Sequence, residues 1–86
     1  MDIQIGKITH YYDKIQVAVV EVMNQPVKLG DTVKIVGHDN EFTQKIISLQ
    51  VEHNQLNEVK PGESCGMKMD QKVKTGDMLY LIGAAS

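Results

Sequence analysis

Apolar residues along this chain return at every second position far more often than at every third or fourth, which is the period of a strand. Ile3-Gln4-Ile5-Gly6-Lys7-Ile8-Thr9 alternates apolar and polar as far as Ile8. Asp13-Lys14 marks a turn into a second strand over 15–22. Its stretch from Val17 to Val20 is apolar on both faces, as in a strand covered on both sides. Asn24-Gln25-Pro26 interrupts the pattern, a third strand covers 32–36, and Gly37-His38-Asp39-Asn40 is loop chemistry. A longer fourth strand is predicted over 41–53, with Ile47, Leu49 and Val51 on one face and Ser48, Gln50 and Glu52 on the other. Pro61-Gly62 opens a fifth strand over 64–69 that puts Cys65, Met67 and Met69 on a common face. A sixth strand covers 78–82, and 83–86 is expected to fray. Between Ile46 and Val59 no i, i+3, i+4, i+7 stripe is sustained, so no helix is predicted there.

The chain also repeats itself. Val27-Lys28-Leu29-Gly30-Asp31-Thr32-Val33-Lys34-Ile35-Val36-Gly37 returns as Val73-Lys74-Thr75-Gly76-Asp77-Met78-Leu79-Tyr80-Leu81-Ile82-Gly83. In each copy a Gly-Asp pair leads into a β-rich run. Gly allows the positive φ a tight turn needs, and Asp can accept nearby backbone amides. Gly30, Asp31, Gly76 and Asp77 are therefore structural turn residues in this reading. Six short strands with no helix to cover them must bury their apolar faces against one another, and closure removes exposed edges. The expectation is an all-β fold, a small closed six-stranded antiparallel barrel occupying 1–86 as one domain.

Composition changes this picture little but narrows the chemistry. The chain has 86 residues, 42% of them hydrophobic and 23% charged, with a formal charge of −2. Its nine basic residues are all lysine, and the lack of arginine weighs against a dedicated nucleic-acid binder. Cys65 is the single cysteine, which allows no intramolecular disulfide and no multi-cysteine zinc site. A lone thiol in a strand reads as a small buried hydrophobe. The N-terminus has neither a basic n-region nor an apolar h-region, and the longest apolar run, 78–82, is far too short to span a membrane. A cytoplasmic setting is expected.

No P-loop is present, and His10, His38 and His53 stand at no metal-ligand spacing from one another or from Cys65. A pairing of Cys65 with His53 as nucleophile and base has no orienting partner in the sequence. The most distinctive polar-aromatic cluster is His10-Tyr11-Tyr12. With Phe42 and the lysines Lys7, Lys14 and Lys45 it is the candidate binding face, since aromatics beside lysines can stack bases or an exposed peptide. The competing reading makes one of Tyr11 and Tyr12 a plug for the barrel end and leaves the other exposed.

Gly6-Lys7-Ile8, the 27–37 segment, Gly62-Glu63-Ser64-Cys65-Gly66 and Val73-Lys74-Thr75-Gly76-Asp77, taken in this order, resemble domain II of translational GTPases. That domain is the β-barrel following the GTP-binding domain in elongation factor Tu and its relatives. The chain is also similar to free-standing elongation-factor-like proteins and to the barrel appended to some collagenase-like peptidases. The resemblance implies a barrel of the translation-protein type and a non-enzymatic binding module with a ribosomal, tRNA or protein partner, no nucleotide, and no cofactor or metal. Where factors that hold an aminoacyl end carry an acidic residue, a methionine and an aromatic in succession, this chain has Gln50, Val51 and Glu52. The alternative is an accessory barrel that docks onto a separate enzyme such as a collagenase-like peptidase.

Overall fold

The computed structural model describes residues 3–38, 40–52 and 54–82. They form an all-β fold: β1 (Ile3–Tyr12), β2 (Val17–Val22), β3 (Val27–Lys28), β4 (Thr32–Val36), β5 (Glu41–Lys45), β6 (Leu49–Val51), β7 (Asn54–Gln55), β8 (Glu58–Val59), β9 (Ser64–Lys68) and β10 (Met78–Leu81). Eight strands make one antiparallel sheet in the order β5-β4-β10-β1-β2-β9-β6-β7, and β3 and β8 pair separately as a short ribbon.

The sheet is open, which corrects the expected closed six-stranded barrel. A strand has two hydrogen-bonding edges, and both edges of β9 are taken. Val17–Glu21 of β2 pairs on one side, and β6 pairs on the other through Leu49↔Met67 and Gln50↔Gly66. The edge strand β5 therefore finds no place on β9, and it does not pair with β7, the two-residue strand at the other edge. It reaches the last residue of β9 and the chain just beyond it through a side chain instead. Gln44 Nε2 donates to the Lys68 carbonyl at 2.8 Å, and the Asp70 amide donates to Gln44 Oε1 at 2.9 Å. One amide side chain, only 5% exposed, thus makes the two bonds that a strand residue would make.

The strands bury one shared core cluster: Ile5 and Ile8 of β1, Ala18, Val20 and Val22 of β2, Val33 and Ile35 of β4, Cys65 and Met67 of β9, and Leu79 of β10 are all buried. In β1 the pairing slips between Gln4 and Gly6 and again between Ile8 and His10. Each β-bulge adds a residue and resets the alternation, so the core-facing positions run Ile5, Ile8, Tyr11 rather than every second residue.

The predicted fourth strand is broken. Gln44 and Ile46 continue the inward face of β5, two residues then pass before Leu49, and Ile47 is left 63% exposed while Ile46 is 1% exposed. The cause is that Ile46 is tied to the start of β4 by two backbone bonds, Ile46 N to Asp31 O and Gly30 N to Ile46 O, both 2.9 Å. The chain must then cross over to β9, and the period is reset in the step. Cys65, Met67 and Met69 do share the inward face. Burial pushes the Cys65 thiol pKa up to about 12. The expectations placed on His53 and on 83–86 fall outside the described residues.

Candidate functional site

The repeated Gly-Asp segment is one turn used three times. Lys28-Leu29-Gly30-Asp31 and Lys74-Thr75-Gly76-Asp77 close with the Asp amide donating to the Lys carbonyl at 3.2 and 3.1 Å. Gly30 and Gly76 have φ of 90° and 100°. These are type II turns, which require a positive φ at the third residue. Lys60-Pro61-Gly62-Glu63 is a third copy, with Gly62 at φ 93° and Glu63 N to Lys60 O at 3.2 Å. In all three the acid side chain accepts the lysine amide: Asp31 at 3.2 Å, Glu63 at 3.4 Å and Asp77 at 2.9 Å.

Each copy is preceded by a buried valine, Val27, Val59 or Val73. Each also docks alike on a neighbouring strand. The Gly amide donates to the carbonyl of Ile46, Val22 or Ile8, and the amide of that same residue donates back to the acid's carbonyl. The turns feed β4, β9 and β10 respectively. The third copy escapes a search for Gly-Asp because its acid is Glu63; the pattern Val-Lys-x-Gly-acid would have found it.

Among the described residues, the Gly76-Asp77 copy forms part of a hollow. Gly37, His38 and Asn40 between β4 and β5, the end of β1, and the segment 72–77 before β10 line a hollow of about 380 Å³ beside Asp77. Tyr11 and Asp13 come from β1 and its turn, Gly37, His38 and Asn40 from the loop, and Lys72, Val73 and Lys74 from the approach to the turn. A shallower hollow on the other side of Gly37, His38 and Asp77 reaches Met78. Asp77 is 9% exposed. The loop can pass so close over it because residue 37 has no side chain. A Cβ there would stand 2.8–2.9 Å from the three carboxylate atoms of Asp77. Burial, and then the negative charge of Asp13, raise the pKa of the Tyr11 phenol, which keeps it a neutral hydrogen-bond donor.

The residues predicted as a binding face are distributed around the sheet. Tyr11 packs on the core and lines the hollow, whereas Tyr12 is 49% exposed and its ring stands 4.4 Å from that of His10. Lys7 lies in β1 opposite Met78 and Glu21, and Lys14 in the exposed β1–β2 turn. Phe42 and Lys45 belong to β5, which is separated from β1 by β4 and β10. Phe42 is half-buried against the core. Gly37, His38, Asn40 and Lys72 were not singled out by the sequence as site residues. Their contribution depends on loop 37–40 meeting a segment more than thirty residues away in sequence. Among the described residues no group of three His, Cys, Asp or Glu side chains stands close enough to hold a metal ion, and no helix is long and apolar enough to cross a membrane.

No protein-family model matches the chain. Over 81 residues, 93% of its length, it is 33% identical to an uncharacterized protease of Methanocaldococcus jannaschii, of which the match spans 20%. Among solved structures it superposes on the C-terminal domain of a Geobacillus thermoleovorans protein described as a U32 peptidase. The TM-score is 0.83 for the selenomethionine form, at 22% identity and covering 90% of this chain and 96% of that domain. A second structure of that domain gives 0.81 at 24% identity, covering 87% and 86%. The chain has the fold of that C-terminal domain. These likenesses overturn the reading as domain II of a translational GTPase and the elongation-factor association that came with it. The shared residues behind that reading were Gly-acid turns, and such turns specify how strands are joined, not what the barrel or sheet binds.

Proposed function

We propose that this chain is a non-catalytic β module of the kind that accompanies a U32-type, collagenase-like peptidase, docking on the catalytic part and helping to hold its polypeptide substrate. The observation that carries this is the match itself: nearly the whole chain aligns within one fifth of a protease, and its fold is that of a domain found at the C-terminal end of another such protein. The one thiol supports a non-catalytic role. Cys65 is 2% exposed with its pKa pushed up to about 12, so it is a poor nucleophile at neutral pH. A single thiol held reduced in the core also suits a cytoplasmic setting.

An apolar surface supports docking. Leu29, Ile47 and Leu56 are all exposed, and backbone bonds hold their neighbourhoods together: Leu29 N to Asn57 O, Gly30 N to Ile46 O, and Leu56 N to Leu49 O. Exposed apolar side chains grouped in this way are a recognised mark of an interface. The test is to titrate the chain against the catalytic part of a U32-type peptidase from the same organism and to follow hydrolysis of denatured collagen. The chain alone should cleave nothing. It should bind the catalytic part with little dependence on salt, and Ile47→Lys should abolish binding while leaving the fold intact. Cleavage by the chain alone, or association unaffected by Ile47→Lys, would refute the reading.

A further inference from the structure

The hollow over Asp77 has features that the turn does not require. Asp31 and Glu63 accept the same lysine amide in the same turn while Asp31 is only half-buried and Glu63 lies exposed, so capping the turn needs no enclosure. Asp77 is instead nine-tenths buried with Gly37 directly against its carboxylate, an approach that only a residue without a side chain allows. Its Oδ2 is occupied by the Lys74 amide. No buried side-chain oxygen among the described residues lacks a partner, so Oδ1, with no hydrogen bond to a described residue, keeps some exposure where Asp77 lines the two hollows. A carboxylate oxygen in a confined, partly dry site interacts more strongly with a donor than it would in water.

We propose that this hollow binds a cationic side chain, lysine or arginine, carried on an extended peptide; the choice of a peptide rests on the accessory-module reading above. Asp77 Oδ1 accepts from the ammonium or guanidinium group, and Asp13 at the rim adds a second negative charge. Val73 and the Tyr11 ring supply apolar surface for the aliphatic stem, and the neutral Tyr11 hydroxyl is a donor for a peptide carbonyl. Lys72 and Lys74 also line the hollow and disfavour a free cation. They favour one that arrives on a chain whose carbonyl or carboxylate groups can face them. At about 380 Å³ the space is near the lower end of ligand sites, roughly 300–1,000 Å³, which suits one side chain with its flanking backbone.

The experiment is an NMR titration of the ¹⁵N-labelled chain with three blocked tripeptides, Ala-Lys-Ala, Ala-norleucine-Ala and Ala-Glu-Ala. The lysine peptide should shift the amides of His38, Lys74 and Asp77 with a dissociation constant on the order of 1 mM, and norleucine should bind at least about tenfold more weakly. Asp77→Asn, whose amide oxygen can still accept from Lys74, should remove that preference, and Asp13→Asn should weaken it by about threefold. Equal binding of lysine and norleucine, preference for glutamate, or an unchanged lysine preference in Asp77→Asn overturns the proposal. Should Asp77→Asn fail to fold, the peptide comparison and Asp13→Asn at its exposed position still decide. Selective binding without docking on the catalytic part would leave the site standing and refute only the accessory role; docking without selective binding would do the reverse.

Discussion

The turns at Gly30-Asp31 and Gly76-Asp77 have the same closing bond, the same positive φ and the same acid-to-amide cap, yet among the described residues it is the second that lines the hollow under Gly37. The difference is in what surrounds them. Asp31 immediately precedes β4, which lies between β5 and β10, and Asp77 immediately precedes β10, which lies between β4 and β1. What differs is that β1 runs on to Tyr12, well past the Lys7 that pairs with Met78, and that Gly37 lies directly against the Asp77 carboxylate. A repeated local motif therefore acquires a site only where its place in the sheet supplies walls. The comparison makes a physical distinction between the work of the turn, which is common to both copies, and enclosure, which belongs to one.

The largest expected effect tests the common part. Nothing lies within 4 Å of a Cβ added at Gly30 or Gly76, so the cost of valine at either comes chiefly from the strain of positive φ. Gly30→Val and Gly76→Val should each lower stability by about 1–3 kcal/mol, and by similar amounts, in chemical denaturation. A Gly76 variant much costlier than its partner would show that the two turns are not equivalent.

The third copy leads into β9, the strand that buries a titratable group where β4 and β10 bury aliphatic ones. The folded Cys65 pKa, about 12, lies above the ordinary value of 9.0. Below pH 9 both states keep the proton and the thiol adds no pH dependence. Between pH 9 and 12 the unfolded state releases its proton first, so stability falls with rising pH, by at most about 1.4 kcal/mol per unit. Cys65→Ala should flatten that alkaline slope relative to the parent in denaturant melts at pH 8 to 11. The same burial makes native-state labelling by a bulky thiol reagent slow. An unchanged slope in the variant would place the thiol in contact with solvent.

The smallest effect tests the part that differs. Asp77→Ala removes a cap in an enclosed position and should cost about 1–1.5 kcal/mol, whereas Asp31→Ala removes a longer, more exposed bond and should cost about 0.5 kcal/mol. Equal costs would mean that the loop over Asp77 adds nothing to its environment.

Much of the fold was legible in the chain. Period-2 patterning gave strands and no helix, the 27–37 repeat located two of the three turns, and Cys65, Met67 and Met69 were placed on the buried face of their strand. These are local properties: a side chain's facing follows from the pleat, and a type II turn follows from glycine at one position. The closed barrel, the unbroken fourth strand and the hollow were decided elsewhere. Closure fails because β6 takes the edge of β9 that β5 would need, and Gln44 bridges the remainder with its side chain. The alternation resets at 46–49 because Ile46 is held by the turn at Asp31. The hollow exists because Gly37 and Asp77, forty residues apart in the chain, meet with no room for a Cβ between them. Pairing partners and the close approach of distant segments depend on which edges are already taken when the sheet assembles, and the local alternation of one strand carries no record of that.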